Sequence, residues 1–101
     1  MTESKSLEVR LYEGDQAKLV LENEMYQWAF EEIETELTER WKTAPIADQA
    51  GRERAFLLLT ALRMVQASLT RTLETGKLAQ AELNHKRSIA ERARDAMRSF
   101  E

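Results

Sequence analysis

Phe56-Leu57-Leu58-Leu59 sets four large apolar side chains in a row, and Ala61, Leu62, Met64, Val65, Leu69 and Leu73 follow close behind. On a helix, successive residues point about 100° apart, so such a row wraps most of the circumference. One neighbouring helix offers a single face and covers only part of it. A chain built on this segment must bury it on more than one side. Monomers rarely leave a large contiguous apolar patch in water, so the surplus points to self-association as a homo-oligomer.

The segment has clear ends. Asp48 is a good N-cap, Gly51 falls in the first turn, and Gly76 after Glu74-Thr75 suits a C-cap or a kink, which predicts a helix over about 48–75. Before it, Leu21, Met25, Trp28, Ile33, Leu37 and Trp41 recur at steps of three and four, with Tyr26 and Phe30 alongside. That spacing predicts a helix over about 16–43, begun by Gly14-Asp15 and ended by Thr43-Ala44-Pro45, because the residue before proline is pushed out of the α region. Asn23 is an internal cap candidate that would divide it into Gln16–Glu22 and Glu24–Thr43. Residues 78–100 are rich in Ala, Arg, Lys and Glu, and predict a third helix that packs back, extends outward or runs on from the second through Gly76. Leu7–Tyr12 alternates apolar and polar, the period of a half-buried strand. With no second strand in the chain to pair with, the segment is either an extended arm or an edge that pairs between subunits, and residues 1–14 are read as the arm.

The expectation is therefore an all-α protein with one helical domain over 15–101, in which the first two helices form an antiparallel hairpin. The core and interface are expected to rest on Trp28, Phe30, Ile33, Leu37, Trp41, Phe56, Leu59, Leu62, Met64 and Leu69.

A length of 101 residues fits a single small domain. With 43% hydrophobic residues and a net charge of −3, the chain does not have a disordered composition. With no Cys, it has neither a disulfide framework nor a thiolate metal site. No apolar run has the roughly 18 residues of a membrane span, and Met1–Leu11 lacks a signal-peptide core, so the expected location is the cytoplasm with no membrane partner. Charge is unevenly spread. Residues 1–46 carry eleven acidic and five basic side chains, while residues 77–101 carry four acidic and six basic. The acidic and cationic portions can pair within a hairpin or between subunits.

Motifs for chemistry are sparse, and no enzyme activity is expected. Glu82-Leu83-Asn84-His85 has the Glu-x-x-His spacing of carboxylate-bridged metal pairs, with Glu32 and Glu36 as candidate partners. Lys86 and Arg87 beside the only His disfavour a bound cation. Glu31-Glu32 lacks the third Glu of a Mg²⁺-binding Glu-Glu-x-x-Glu motif, because Thr35 stands there. Ser68, Thr70 and Thr72 have no nearby general base, and three isolated glycines make no phosphate-cradling loop. No cofactor is expected. Lys86, Arg87, Arg92, Arg94 and Arg98 form a basic stretch that could lie along a phosphate backbone, although Glu91 and Asp95 interrupt it.

The run over residues 21–83, about two-thirds of the chain, resembles small proteins encoded by tailed bacteriophages. The likeness lies in the Asn23-Glu24 opening, the Trp41-Lys42-Thr43-Ala44-Pro45 stop, the Asp48…Gly51-Arg52-Glu53-Arg54 cap and the Glu74-Thr75-Gly76-Lys77-Leu78 close. The acidic first helix, the hairpin and the surplus apolar face are also similar to the oligomerisation cores of small terminase subunits. The chain departs from these in lacking an N-terminal helix-turn-helix. The resemblance implies a non-enzymatic protein of the host-cell cytoplasm, in DNA packaging or head assembly, or else an inhibitor or adaptor of a host protein. It supplies no catalytic residue.

Leu62→Asp is expected to abolish folding or assembly, because it sets an unpaired charge among apolar neighbours. Wild-type helicity and native mass in that variant would contradict the core assignment.

Overall fold

Two glycines in separate helices touch backbone to backbone. In the computed structural model, which describes residues 5–100, a Cβ added to Gly14 would come within 2.7 Å of the Gly76 Cα, and one added to Gly76 within 2.7 Å of the Gly14 Cα. Both glycines are buried, and Ala17 and Ala79 one turn on are 4% and 2% exposed. Small residues on both sides let the helix axes approach more closely than Leu-lined faces allow.

The elements are α1 (Leu7–Glu22), α2 (Glu24–Thr43) and α3 (Gln49–Arg98). All described elements are helical, as the apolar periodicity requires. Asn23 is indeed the cap between the first two. Its side chain accepts from the Tyr26 N–H at 2.9 Å, its own N–H donates to the Val20 carbonyl, and Gln27 Nε2 ties back to the Leu21 carbonyl at 2.8 Å. Asp48 caps α3 through the Gly51 N–H at 3.0 Å, and Arg52 Nη1 holds the preceding loop by the carbonyls of Pro45 and Ile46.

Leu37 lines one groove with Ala55 and Leu58, Glu34 pairs with Arg63, and Gly14 meets Gly76. Going back along α2 and α1 is going forward along α3. The two short helices therefore lie end to end, both antiparallel to the long one. α2 forms the expected hairpin with the first half of α3, and α1 continues the same row.

Three expectations fail. Residues 7–14 are not an extended arm but the first half of α1, with Ser6 as N-cap accepting from the Val9 N–H; residues 1–4 lie outside the described residues. The alternation over Leu7–Tyr12 is a short sample of a longer helical spacing, Leu7, Leu11, Gly14, Ala17 and Leu21, which faces α3. The helix expected to start near Gln16 starts nine residues earlier, and Gly14-Asp15 lies inside it. Gly76 neither caps nor kinks: its φ is negative, and of the readings left open the helix running on through it is the one found, in an α3 of 50 residues. Its lack of a side chain serves the contact with Gly14 instead.

One seam organises α3. Stepping alternately by four and three from Leu58 passes Leu62, Val65, Leu69, Thr72, Gly76, Ala79, Leu83, Lys86, Ala90, Ala93 and Met97 to Phe100, the spacing of a coiled-coil face. α1 covers the middle, from Leu69 to Leu83. At the two ends the seam is open: Val65 is 55% exposed and Met97 71%. Beyond Leu83, every described residue is exposed save Ser88, which is half-buried.

The whole is one helix layer thick, 83 × 33 × 16 Å, with a radius of gyration of 22.3 Å, where a compact chain of this length has about 13 Å. Its accessible surface of 8410 Å² compares with about 5,900 Å² for a compact monomer of the same mass.

Gly76→Ala tests the crossing. Alanine favours a helix over glycine by about 1 kcal/mol, yet the added Cβ meets backbone that cannot turn aside. The expected net effect is a loss of about 1–3 kcal/mol, read as a lower thermal midpoint by circular dichroism. The Gly14→Ala/Gly76→Ala double variant should lose less than the two singles summed, because the helices separate once for both.

Candidate interaction surface

The hairpin of α2 and the first half of α3 has two different sides. On one, Glu34 pairs with Arg63 at 3.6 Å, and nearer the loop Trp41, Arg52, Phe56 and Leu57 line an open groove of ≈ 540 Å³. On the other, Leu58 lies with Leu37 and Arg40 along a groove of ≈ 360 Å³. Helical spacing carries this second side along α3 through Leu62, Val65 and Leu69. On α2 it runs back from Arg40 through Ile33 and Ala29. Ile33, Leu58 and Val65 are 45%, 48% and 55% exposed, while Ala29, Leu62 and Leu69 are half-buried. This side is an apolar strip about 17 Å long, edged on α2 by Glu32 and Glu36.

The row Phe56–Leu59 behaves as its crowding requires. Only Leu59 is buried; Phe56 faces one side, Leu58 the other, and Leu57, 65% exposed, lies at the outer edge of the groove that Phe56 and Trp41 line. Of the residues expected to carry core and interface, Phe30, Leu37 and Leu59 are buried within the chain, and Leu62 and Leu69 are half-buried. Trp28, Ile33, Trp41, Phe56 and Met64 are exposed, so within a single chain they are not core. The packed residues that periodicity in large side chains missed are the small ones: Gly14, Ala17, Ala55, Gly76 and Ala79. Their signal was position, since each falls on the seam between larger apolar residues.

The basic residues Lys86, Arg87, Arg92, Arg94 and Arg98 all sit on the exposed last quarter of α3. Lys86 pairs with Glu82 at 3.9 Å and Arg98 with Asp95 at 3.7 Å, whereas Arg87, Arg92 and Arg94 have no ion pair among the described residues. Arg87, Arg94 and Arg98, spaced seven and four apart, share one flank of the apolar stripe Ala90, Ala93, Met97 and Phe100. Glu82 and His85 lie at the start of this tail. Glu32 and Glu36 are far off beside the other half of α3, and no group of three metal-ligating side chains forms among the described residues. Among the described residues, no helix is long and apolar enough to cross a membrane.

α2 carries six carboxylates against two cations, and residues 84–98 carry five cations against two carboxylates. The molecule is thus acidic at its hairpin and basic at its tail. Glu36 pairs with Arg40, but Glu31, Glu32 and Glu39 have no ion pair among the described residues. One buried polar atom also lacks a partner there: the Tyr26 hydroxyl, whose ring packs against Phe30 with centroids 6.0 Å apart.

No family model matches the chain, and no curated protein or solved structure is detectably similar to it. Its function has to be read from its own surface.

Tyr26→Phe removes that unpaired hydroxyl and keeps the ring. The variant should be as stable as the wild type or up to about 1 kcal/mol more so, measured by urea unfolding. A loss above about 1 kcal/mol would mean that the hydroxyl has a partner in solution.

Proposed function

We propose that the chain is a non-enzymatic assembly protein that works by associating through helices. The observation that carries this reading is the open apolar side of the hairpin, Ile33, Leu58 and Val65 backed by Leu62 and Leu69, on a molecule one helix layer thick. A two-helix layer has no second layer of its own to close a core. The surface surplus over a compact monomer, about 2,500 Å², is of the size that permanent subunit contacts remove.

The likeness to small bacteriophage proteins, and more loosely to small-terminase oligomerisation cores, directs this assembly to DNA packaging or head assembly in the host cytoplasm. Exposed guanidinium groups on the tail support a secondary contact with nucleic acid, made additive by repetition in an oligomer. If the chain instead worked singly, the same apolar side would fit a helix of a host protein, as an inhibitor or adaptor does.

Light scattering on a size-exclusion column, with absorbance at 260 and 280 nm, tests the reading. The expected result is a native mass several times 11.7 kDa whether or not nucleic acid co-elutes. A single-chain mass at every soluble concentration would overturn assembly and favour the inhibitor or adaptor.

A further inference from the structure

The tail of α3 is a helix without support. From Asn84 to Arg98 it runs about 22 Å with no described element packed along it. Isolated helices of about 15 residues are marginal in water, and its two ion pairs, Lys86–Glu82 and Arg98–Asp95, are exposed and contribute little. Its apolar stripe continues the seam that α1 covers farther back. At the other end of the molecule, the hairpin's open side presents an apolar strip of matching length, edged by carboxylates where the tail carries guanidinium groups.

We propose that a second copy of this chain fills the hairpin's open side with its tail. Ala90, Ala93, Met97 and Phe100 of one copy lie against Ile33, Leu58, Leu62 and Val65 of the next, and Arg92, on the flank turned toward α2 when both copies point the same way, faces Glu32 and Glu36. This rests on the assembly reading and gives it a geometry.

Direction follows from where α1 sits. A tail entering past Leu69 runs into α1, which covers the seam from there to Leu83. A tail entering from the loop between α2 and α3 meets no described element. In that orientation the two copies are staggered along α3 and point the same way, so each molecule gives a tail at one end and receives one at the other. Such a head-to-tail contact is not its own mirror; it continues until it closes as a ring or extends as a filament. The surface surplus of about 2,500 Å² per chain suffices for both contacts of each copy. Opposite charge at the two ends favours this order over tail-to-tail or hairpin-to-hairpin pairing, which bring like charges together.

The contact is tested with two variants of the full chain that damage opposite ends: Val65→Asp on the hairpin and Met97→Asp on the tail. Both positions are exposed, and circular dichroism checks that each variant remains helical. Each variant alone should fall from the wild-type mass to that of one chain. Mixed, they should form a one-to-one heterodimer and stop there, because the pair retains one intact hairpin and one intact tail. If Val65→Asp loses helicity, Ile33→Asp replaces it in the same mixture. Should Met97→Asp keep the wild-type mass, the tail is not the occupant and the inference fails, while assembly by another face stands. Loss of 260 nm absorbance without loss of mass in that variant would assign the tail to nucleic acid and likewise overturn it. A wild-type chain that is monomeric throughout would sink the assembly reading itself.

Discussion

The close approach of Gly14 to Gly76 sets the shape of this molecule. With no side chain on either residue, α1 lies directly on the backbone of α3, and Ala17 and Ala79 extend the contact by a turn. That contact holds α1 in line with α2 instead of folded across it. Had α1 packed over the hairpin as a second layer, it would have covered Leu58 and Val65 and closed a small monomeric bundle. By going to the middle of α3 it leaves the tail of the long helix bare and one side of the hairpin open. The apolar surplus is thus a consequence of where the glycines stand.

Small residues are also why the sequence was only partly legible. The caps at Asn23 and Asp48 could be read because those side chains make the bonds themselves, and the stop at Thr43 because Pro45 drives Ala44 out of the α region. The four-residue apolar row Phe56–Leu59 showed in advance that its helix could not be satisfied by one neighbour. The glycines misled because glycine means a turn or a cap in most local contexts, and only a tertiary contact makes it a helix interior. Gly14 read as a turn hid the first half of α1, and Gly76, which also suits a cap or a kink, left open whether α3 was one helix or two. Trp28, Trp41 and Phe56 misled differently, since periodicity identifies a face but not what covers it.

The electrostatics and the packing describe the same unmet need. Acidic α2 sits beside the bare strip at one end, and the basic tail projects at the other. Exposed ion pairs such as Glu34–Arg63 and Lys86–Glu82 add little stability to one chain. Arg87, Arg92 and Arg94, and Glu31, Glu32 and Glu39, are unpaired among the described residues and are better placed to decide which end meets which. In the proposed contact between subunits, charge of this kind governs order and encounter more than affinity, and burial of Leu58, Val65 and Met97 is the proposed driving force.

The central claim is that the bare tail of α3 and the open side of the hairpin cover one another between chains. Amide hydrogen exchange followed by mass spectrometry, over a dilution series of the wild-type chain, addresses it most directly. The account predicts that peptides spanning residues 58–69 and 86–98 are both protected at high concentration and lose that protection together on dilution, while the region around Gly76 stays protected throughout. A tail that exchanges at the rate of an unstructured peptide at every concentration would contradict it.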